Sequence, residues 1–217
     1  MQLSITLIII IITALISFSA FSNQKIINDL IFFPPSITEQ NQWYRFFTCG
    51  LIHADFGHLF FNMFSLYLFG EFVEKSFASP VLFGEKGRWI YLAMYVLALF
   101  VCLLPTFIKH KKDYYYRSLG ASGAVSAVIF AGILFAPTAK IGFFFIPPVI
   151  PGYIFGPLYL IGSTYLEKQA SDNVNHSAHI WGALFGIVFI VIMAAVLKTP
   201  YQPIEMFVFQ IRSSLGF

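Results

Sequence analysis

The chain has 217 residues, of which 58% are hydrophobic, 19% aromatic and only 11% charged, with a net charge of +3. A soluble fold of this length needs far more charge to cover its surface. The basic residues are scattered along the chain and form no stripe of the kind a nucleic acid requires. Composition therefore excludes a soluble globular enzyme and a nucleic-acid binder, and predicts an integral membrane protein surrounded by lipid bilayer.

The apolar residues fall into six blocks, each near the roughly 20 helical residues that cross a hydrocarbon core of about 30 Å. The first covers Leu3 to Phe21. No Lys or Arg precedes it, and its apolar run is longer than a signal-peptide core, so a retained span is expected. It also lacks the arginines of an organellar transit peptide, which makes a bacterial plasma membrane the expected location. The following segment holds Phe32-Phe33-Pro34-Pro35 and Trp43-Tyr44-Arg45-Phe46-Phe47, aromatic enough to lie at the membrane interface. The second block runs from Gly57 to Phe72 and the third from Trp89 to Ile108. A charged connection, Lys109 to Arg117, leads to the fourth, Leu119 to Phe135. Pro137 to Pro151 carries four prolines and reads as a broken interfacial turn. The fifth block spans Val149 to Leu166 and the sixth Ala178 to Leu197. Between them, the polar, proline-free Glu167 to Ser177 reads as a movable lid, and Lys198 to Phe217 as a short interfacial tail. The expected architecture is one all-α membrane domain over residues 1–217, a six-helix bundle with an interfacial first loop. Lys and Arg divide almost evenly between alternate connections, so the positive-inside rule does not orient it. Cys49 and Cys102 have neither metal-ligand spacing nor a disulfide framework.

Polar side chains inside spans are costly and point to function. His58 and Asn62 are four apart, on one face of the second span. Ser122 lies in Gly120-Ala121-Ser122-Gly123 at the start of the fourth, and His179 opens the sixth, with Gly182 and Gly186 beyond it. Singly, each has an ordinary explanation: a serine bonding its own helix backbone, a histidine bonding a neighbouring helix, glycines packing helices together. Their common depth separates them from that background, because in a six-span serpentine all three sites fall at the same side of the membrane. Together they suit acyl transfer. A histidine within reach turns serine into a nucleophile. Glycines let the two helices approach closely. The first turn of a helix offers unpaired N–H groups to a developing negative charge, and His58 and Asn62 add side-chain donors.

These residues resemble the rhomboid intramembrane serine proteases. The match comprises Trp43-Tyr44-Arg45, His58-x-x-x-Asn62, Gly120-x-Ser122-Gly123 and Ala178-His179-x-x-Gly182-x-x-x-Gly186. The resemblance implies Ser122 as nucleophile and His179 as general base, with His58, Asn62 and the Ser122 backbone as the oxyanion hole. It implies structural roles for Trp43, Arg45 and Glu74, and supporting roles for Gly120, Gly123, Gly182 and Gly186. The expected activity is hydrolysis of peptide bonds in or near membrane segments of single-span or polytopic substrates, in a cavity open to the extracytoplasmic side. No cofactor or metal is expected. One departure stands out: many family members carry an aromatic residue four positions after the nucleophile, stacked on the catalytic imidazole, where this chain has Ser126. Another residue must then orient His179, or the dyad is looser. The alternatives are a catalytically silent rhomboid-like protein that binds membrane clients and a small transporter. The first characteristically lacks the serine or histidine, and the second commonly shows internal repeats that this sequence lacks. Oligomeric state and physiological substrate are not encoded in any of these motifs.

Overall fold

The computed structural model describes residues 3–143, 146–169 and 174–217. Among these the chain is mostly helical, with the helices in the expected order. α1 (Ile5–Phe21) starts at Ser4, whose hydroxyl accepts the Leu7 N–H at 3.2 Å. The interfacial loop then folds into three short helices, α2 (Gln24–Leu30), α3 (Pro34–Gln40) and α4 (Arg45–Thr48), followed by a 3-10 turn at Cys49–Leu51. Buried Arg45 ties the loop together: its Nη1 donates to the Asn28 and Ile31 carbonyls at 2.9 and 2.7 Å, and its Nε to Gln42 Oε1 at 2.6 Å. Those two carbonyls close α2, so the guanidinium satisfies a helix end lacking intrahelical donors. Trp43 stacks on Phe46, with ring centroids 5.8 Å apart.

α5 (Phe56–Phe77) is capped by Asp55, whose carboxylate accepts the His58 N–H at 2.8 Å. It runs five residues past the expected Phe72, because Glu74 has partners at the start of α1 and Lys75 pairs with Glu71 one turn back. Glu74 is the clearest case. Its carboxylate accepts the Ile5 N–H at 2.8 Å and the Thr6 N–H and hydroxyl at 2.9 Å each, while Arg88 Nε lies 3.3 Å away. An anion thus completes the N-terminus of α1.

The expected third span is two helices, α6 (Gly87–Val101) and α7 (Leu104–His110), broken ahead of Pro105. α8 (Ser122–Phe135) occupies the centre; of its residues only Ser122, Ile129 and Phe135 escape full burial. Small residues, Gly123, Ala124, Ala127 and Ala131, let α10 (His176–Val196) and α5 close on it. α9 (Gly152–Gln169) packs on α10 and α8 but buries only Gly152, Gly156 and Ser163. Large apolar side chains such as Leu15, Phe18, Trp89, Ile161 and Val188 point outward from several helices, more exposed apolar surface than a soluble monomer carries.

Two elements add detail to the expected architecture. Beside the helices, residues of the expected proline-rich turn form an antiparallel hairpin, β1 (Lys140–Phe143) and β2 (Ile146–Pro151), paired Lys140 to Pro151 and Ile141 to Ile150, with an irregularity before Phe143. Prolines bar a helix there, and Ile141, Val149 and Ile150 favour strand; a two-stranded ribbon has only edges, where proline is tolerated. The C-terminal tail is a helix, α11 (Pro203–Leu215), with Pro203 at its first position and Gly216 in the left-handed conformation after it. Its Gln210 side chain donates to the Phe135 carbonyl at 3.0 Å, closing the end of α8.

Among the described residues, two helical stretches, Gly84–His110 (which takes in α6 and α7) and His176–Val196, are long and apolar enough to cross a membrane. Ile5–Phe21 and Ser122–Phe135 are apolar but shorter. At 14 residues, α8 is only about 21 Å long, well below the thickness of the hydrocarbon core.

Candidate active site

The N-termini of α5, α8 and α10 meet at one end of the bundle, around a cavity of about 630 Å³ whose walls include His58, Asn62, Ser122 and His179. Ser122 is the first residue of α8. Two residues earlier, Gly120 has φ +111°, a conformation that side chains resist. A Cβ there would lie 2.6 Å from His58 Cε1 and 2.8 Å from its Nε2. The glycine therefore lets the His58 ring rest against the backbone leading into Ser122. The Gly120 N–H donates to the Cys49 carbonyl at 2.9 Å, tying this turn to the first loop.

α10 is capped by Asn175, whose Oδ1 accepts the Ala178 N–H at 3.0 Å and the Thr106 hydroxyl at 3.1 Å. That cap places His179 in the first turn, where its Nε2 lies 2.7 Å from Ser122 Oγ. The two helices come this close because backbone meets backbone. A Cβ on Gly182 would sit 2.0 Å from the Gly123 carbonyl oxygen, and one on Gly186 2.3 Å from that of Ala127. On Gly123 it would strike Cys102 Sγ at 2.5 Å. Both cysteines are free thiols buried in the bundle.

His58 and Asn62 are placed differently from the pair. His58 Nδ1 lies 3.4 Å from the Ala54 N–H and accepts from it, which leaves Nε2 as the protonated nitrogen of the neutral ring, on the side facing Gly120. Asn62 is buried in the cavity wall, but its Nδ2 donates to the His58 carbonyl at 2.9 Å, along its own helix. The structure thus joins Ser122 to His179, sets His58 beside the turn before Ser122, and bonds one Asn62 N–H along its own helix. Trp43 and Arg45 lie in the first loop and Glu74 near the far end of α5, in the contacts given above.

Two side chains here escape a reading of the sequence. His53, fully buried between the 3-10 turn and α5, receives the Ala121 N–H on Nε2 at 3.3 Å, while Nδ1 lies 3.0 Å from Ser17 Oγ. Ser17 Oγ in turn lies 2.9 Å from the Leu51 carbonyl. With Nε2 accepting, Nδ1–H donates to Ser17 and the Ser17 hydroxyl donates to Leu51. All three bonds then run in one direction and the ring is neutral. Burial, with a smaller contribution from neighbouring His58 and an opposing one from Asp55, pushes the His53 pKa down to about 3. The second is Tyr159 on α9, whose hydroxyl pairs with the Ser126 hydroxyl at 2.9 Å, beside His179. Neither has a motif; both are recognisable only once loop and helices are packed.

Of the segment Glu167 to Ser177 expected as a lid, Glu167–Gln169 end α9 and His176–Ser177 start α10; residues 170–173 lie outside the described residues. At its base, Glu167 accepts the Ser177 N–H at 3.0 Å and pairs with Lys109 at 3.6 Å.

Residues 40–196 match the Rhomboid domain family. Among curated proteins the chain is 31% identical over 146 residues to "RHOMBOID-like protein 12, mitochondrial" of Arabidopsis thaliana, covering 63% of this chain and 42% of that protein. It is 32% identical over 160 residues to "Rhomboid-like protein 11, chloroplastic" of the same plant, covering 68% and 51% respectively. It is 25% identical over 153 residues to "Putative rhomboid protease YdcA" of Bacillus subtilis (strain 168), covering 68% and 65%. The chain thus spans about half the length of the curated relatives it matches. With the family's domain matched across most of its length, this membrane-embedded chain belongs to the rhomboid family.

Proposed function

We propose that the chain is an intramembrane serine endopeptidase that hydrolyses peptide bonds in or near transmembrane segments of other membrane proteins. The observation that carries this reading is the 2.7 Å approach of His179 Nε2 to Ser122 Oγ inside a cavity of about 630 Å³. Such a contact lets the imidazole take the hydroxyl proton as Oγ attacks. The new Oγ–C bond forms as the carbonyl π pair moves onto oxygen. Collapse breaks the C–N bond, and the imidazolium returns its proton to the leaving amine. Water repeats the sequence to release the acyl group.

The oxyanion forms beside the first turn of α8, where backbone N–H groups lack intrahelical acceptors. The protonated Nε2 of His58 supplies a side-chain donor. Asn62 adds another through the Nδ2 N–H that the His58 carbonyl does not use. The helices cross the bilayer as a six-span bundle in a bacterial plasma membrane, the short α8 being reached by water from the cavity end. The cavity opens to the extracytoplasmic side, with both chain ends inside. The test is cleavage of a single-span reporter by purified protein, with fluorophosphonate labelling in parallel. Ser122→Ala should abolish both signals and His179→Ala should reduce them to background. Undiminished cleavage by Ser122→Ala would overturn the assignment. Cleavage and labelling both absent from the wild type would favour a client-binding role.

A further inference from the structure

A Ser–His pair works only while the imidazole keeps Nε2 turned toward the hydroxyl, a task commonly given to a third group bonded to the ring. Here an aromatic ring from another helix lies alongside. The Tyr159 ring sits near-parallel to that of His179, tilted by 27° with centroids 6.4 Å apart, within the range of aromatic pairing. Its far end is fixed by the 2.9 Å hydrogen bond to Ser126, a buried residue one helical turn beyond Ser122 on α8. Its sides are fixed by Phe130 and Phe155, with centroids 5.6 and 5.9 Å away.

We infer that Tyr159, tethered by Ser126, is a positioning residue that limits the swing of the His179 imidazole and holds Nε2 toward Ser122. The inference rests on the Ser122–His179 reading above. It has a structural consequence. Tyr159 arrives on α9 and its tether on α8, so the orientation of the base depends on α9 being seated against the bundle. α9 buries Gly152, Gly156 and Ser163 fully, while Ile154, Leu158, Ile161 and Tyr165 face outward.

The experiment uses the full chain in detergent, with reporter cleavage, fluorophosphonate labelling at Ser122 and thermal melting measured on each variant. Tyr159→Leu should lower kcat and the labelling rate on the order of tenfold or more, with KM within about twofold of the wild type and the melting temperature little changed. Tyr159→Phe and Ser126→Ala each remove the tether and keep the ring. Each should lower kcat by a smaller factor, and the double variant should be no slower than the slower single one, because the two hydroxyls act through one bond. Should Tyr159→Leu fail to fold, the two tether variants decide the matter. Wild-type kcat and labelling in both, or in a folded Tyr159→Leu, overturn the positioning role while leaving the protease reading intact. A loss that appears in KM or melting temperature alone also overturns it. A wild type inert in cleavage and labelling refutes the reading beneath it instead.

Discussion

A single methyl group between α8 and α10 should disable the dyad without touching it. In Gly182→Ala the new Cβ would start 2.0 Å from the Gly123 carbonyl oxygen, a backbone atom that no side-chain rotation can clear. Relief to the tightest tolerated contact, 3.0–3.4 Å, requires the helices to part by about 1–1.4 Å at that point. Gly123 follows Ser122 directly and Gly182 lies about one turn beyond His179, so the wedge acts beside both side chains. Added to the present 2.7 Å, such a displacement carries Nε2 and Oγ past hydrogen-bond reach. A misplacement of about 1 Å in a reacting pair costs roughly a hundredfold in rate. The assay is kcat for reporter cleavage per folded molecule, with folding followed by thermal melting. Gly162→Ala on α9 is the control, because nothing lies within 4 Å of the position its Cβ would take. It should keep the wild-type rate and melt no lower, since alanine is the better helix former. Wild-type turnover in folded Gly182→Ala would refute the claim that backbone contact between these helices sets the Ser122–His179 distance.

Glu74→Gln replaces the carboxylate that accepts two N–H groups and a hydroxyl at the start of α1. It should cost about 1.5–3 kcal/mol, seen as a lower melting temperature with unchanged kcat among folded molecules; an unchanged melting temperature would sink the structural assignment. His53 gives a pH dependence. Its folded pKa, near 3, lies below its ordinary 6.5. Between those values the unfolded chain binds a proton that the folded chain refuses, so stability rises with pH across that window and is lost on acidification from about 6.5 toward 3. His53→Gln should flatten this limb relative to the wild type in thermal melts from pH 7 to pH 4. Superimposable profiles would show that His53 is not the group titrating.

What the sequence disclosed and what it withheld divide along physical lines. Apolar runs of bilayer length and isolated polar residues within them are local signals, and from these the helices that carry Ser122, His179 and His58 could be expected. α11 was also readable in principle, since Ile204, Phe207, Val208 and Ile211 recur at helical spacing behind Pro203. The apolar richness of the tail obscured that period. The hairpin at 140–151 was hidden because proline marks both turns and edge strands. His53 and Tyr159 were not readable at all. Each matters through a partner far along the chain, Ala121 for one and Ser126 for the other, and no local pattern encodes such pairings.

The same physics explains which groups form the site. An ionised carboxylate in a medium of low dielectric is costly unless paired. Among the described residues the buried carboxylate is Glu74, at the far end of α5, where Arg88 and three donors compensate it. Around Ser122 stand two histidines, His58 and His179, the Asn62 amide and backbone N–H groups. Asp55 and Arg117 are the charged residues lining that cavity, and Asp55 is engaged in capping α5. In such surroundings an apolar ring with a hydrogen-bonded tip is a cheaper way to hold an imidazole than an anion. The absence of an aromatic residue at position 126 then removes nothing, because the small Ser126 both leaves room for Tyr159 and bonds it. The arrangement makes the two positions interdependent: a large residue at 126 and Tyr159 would compete for one space, so Ser126→Tyr alone should displace α9.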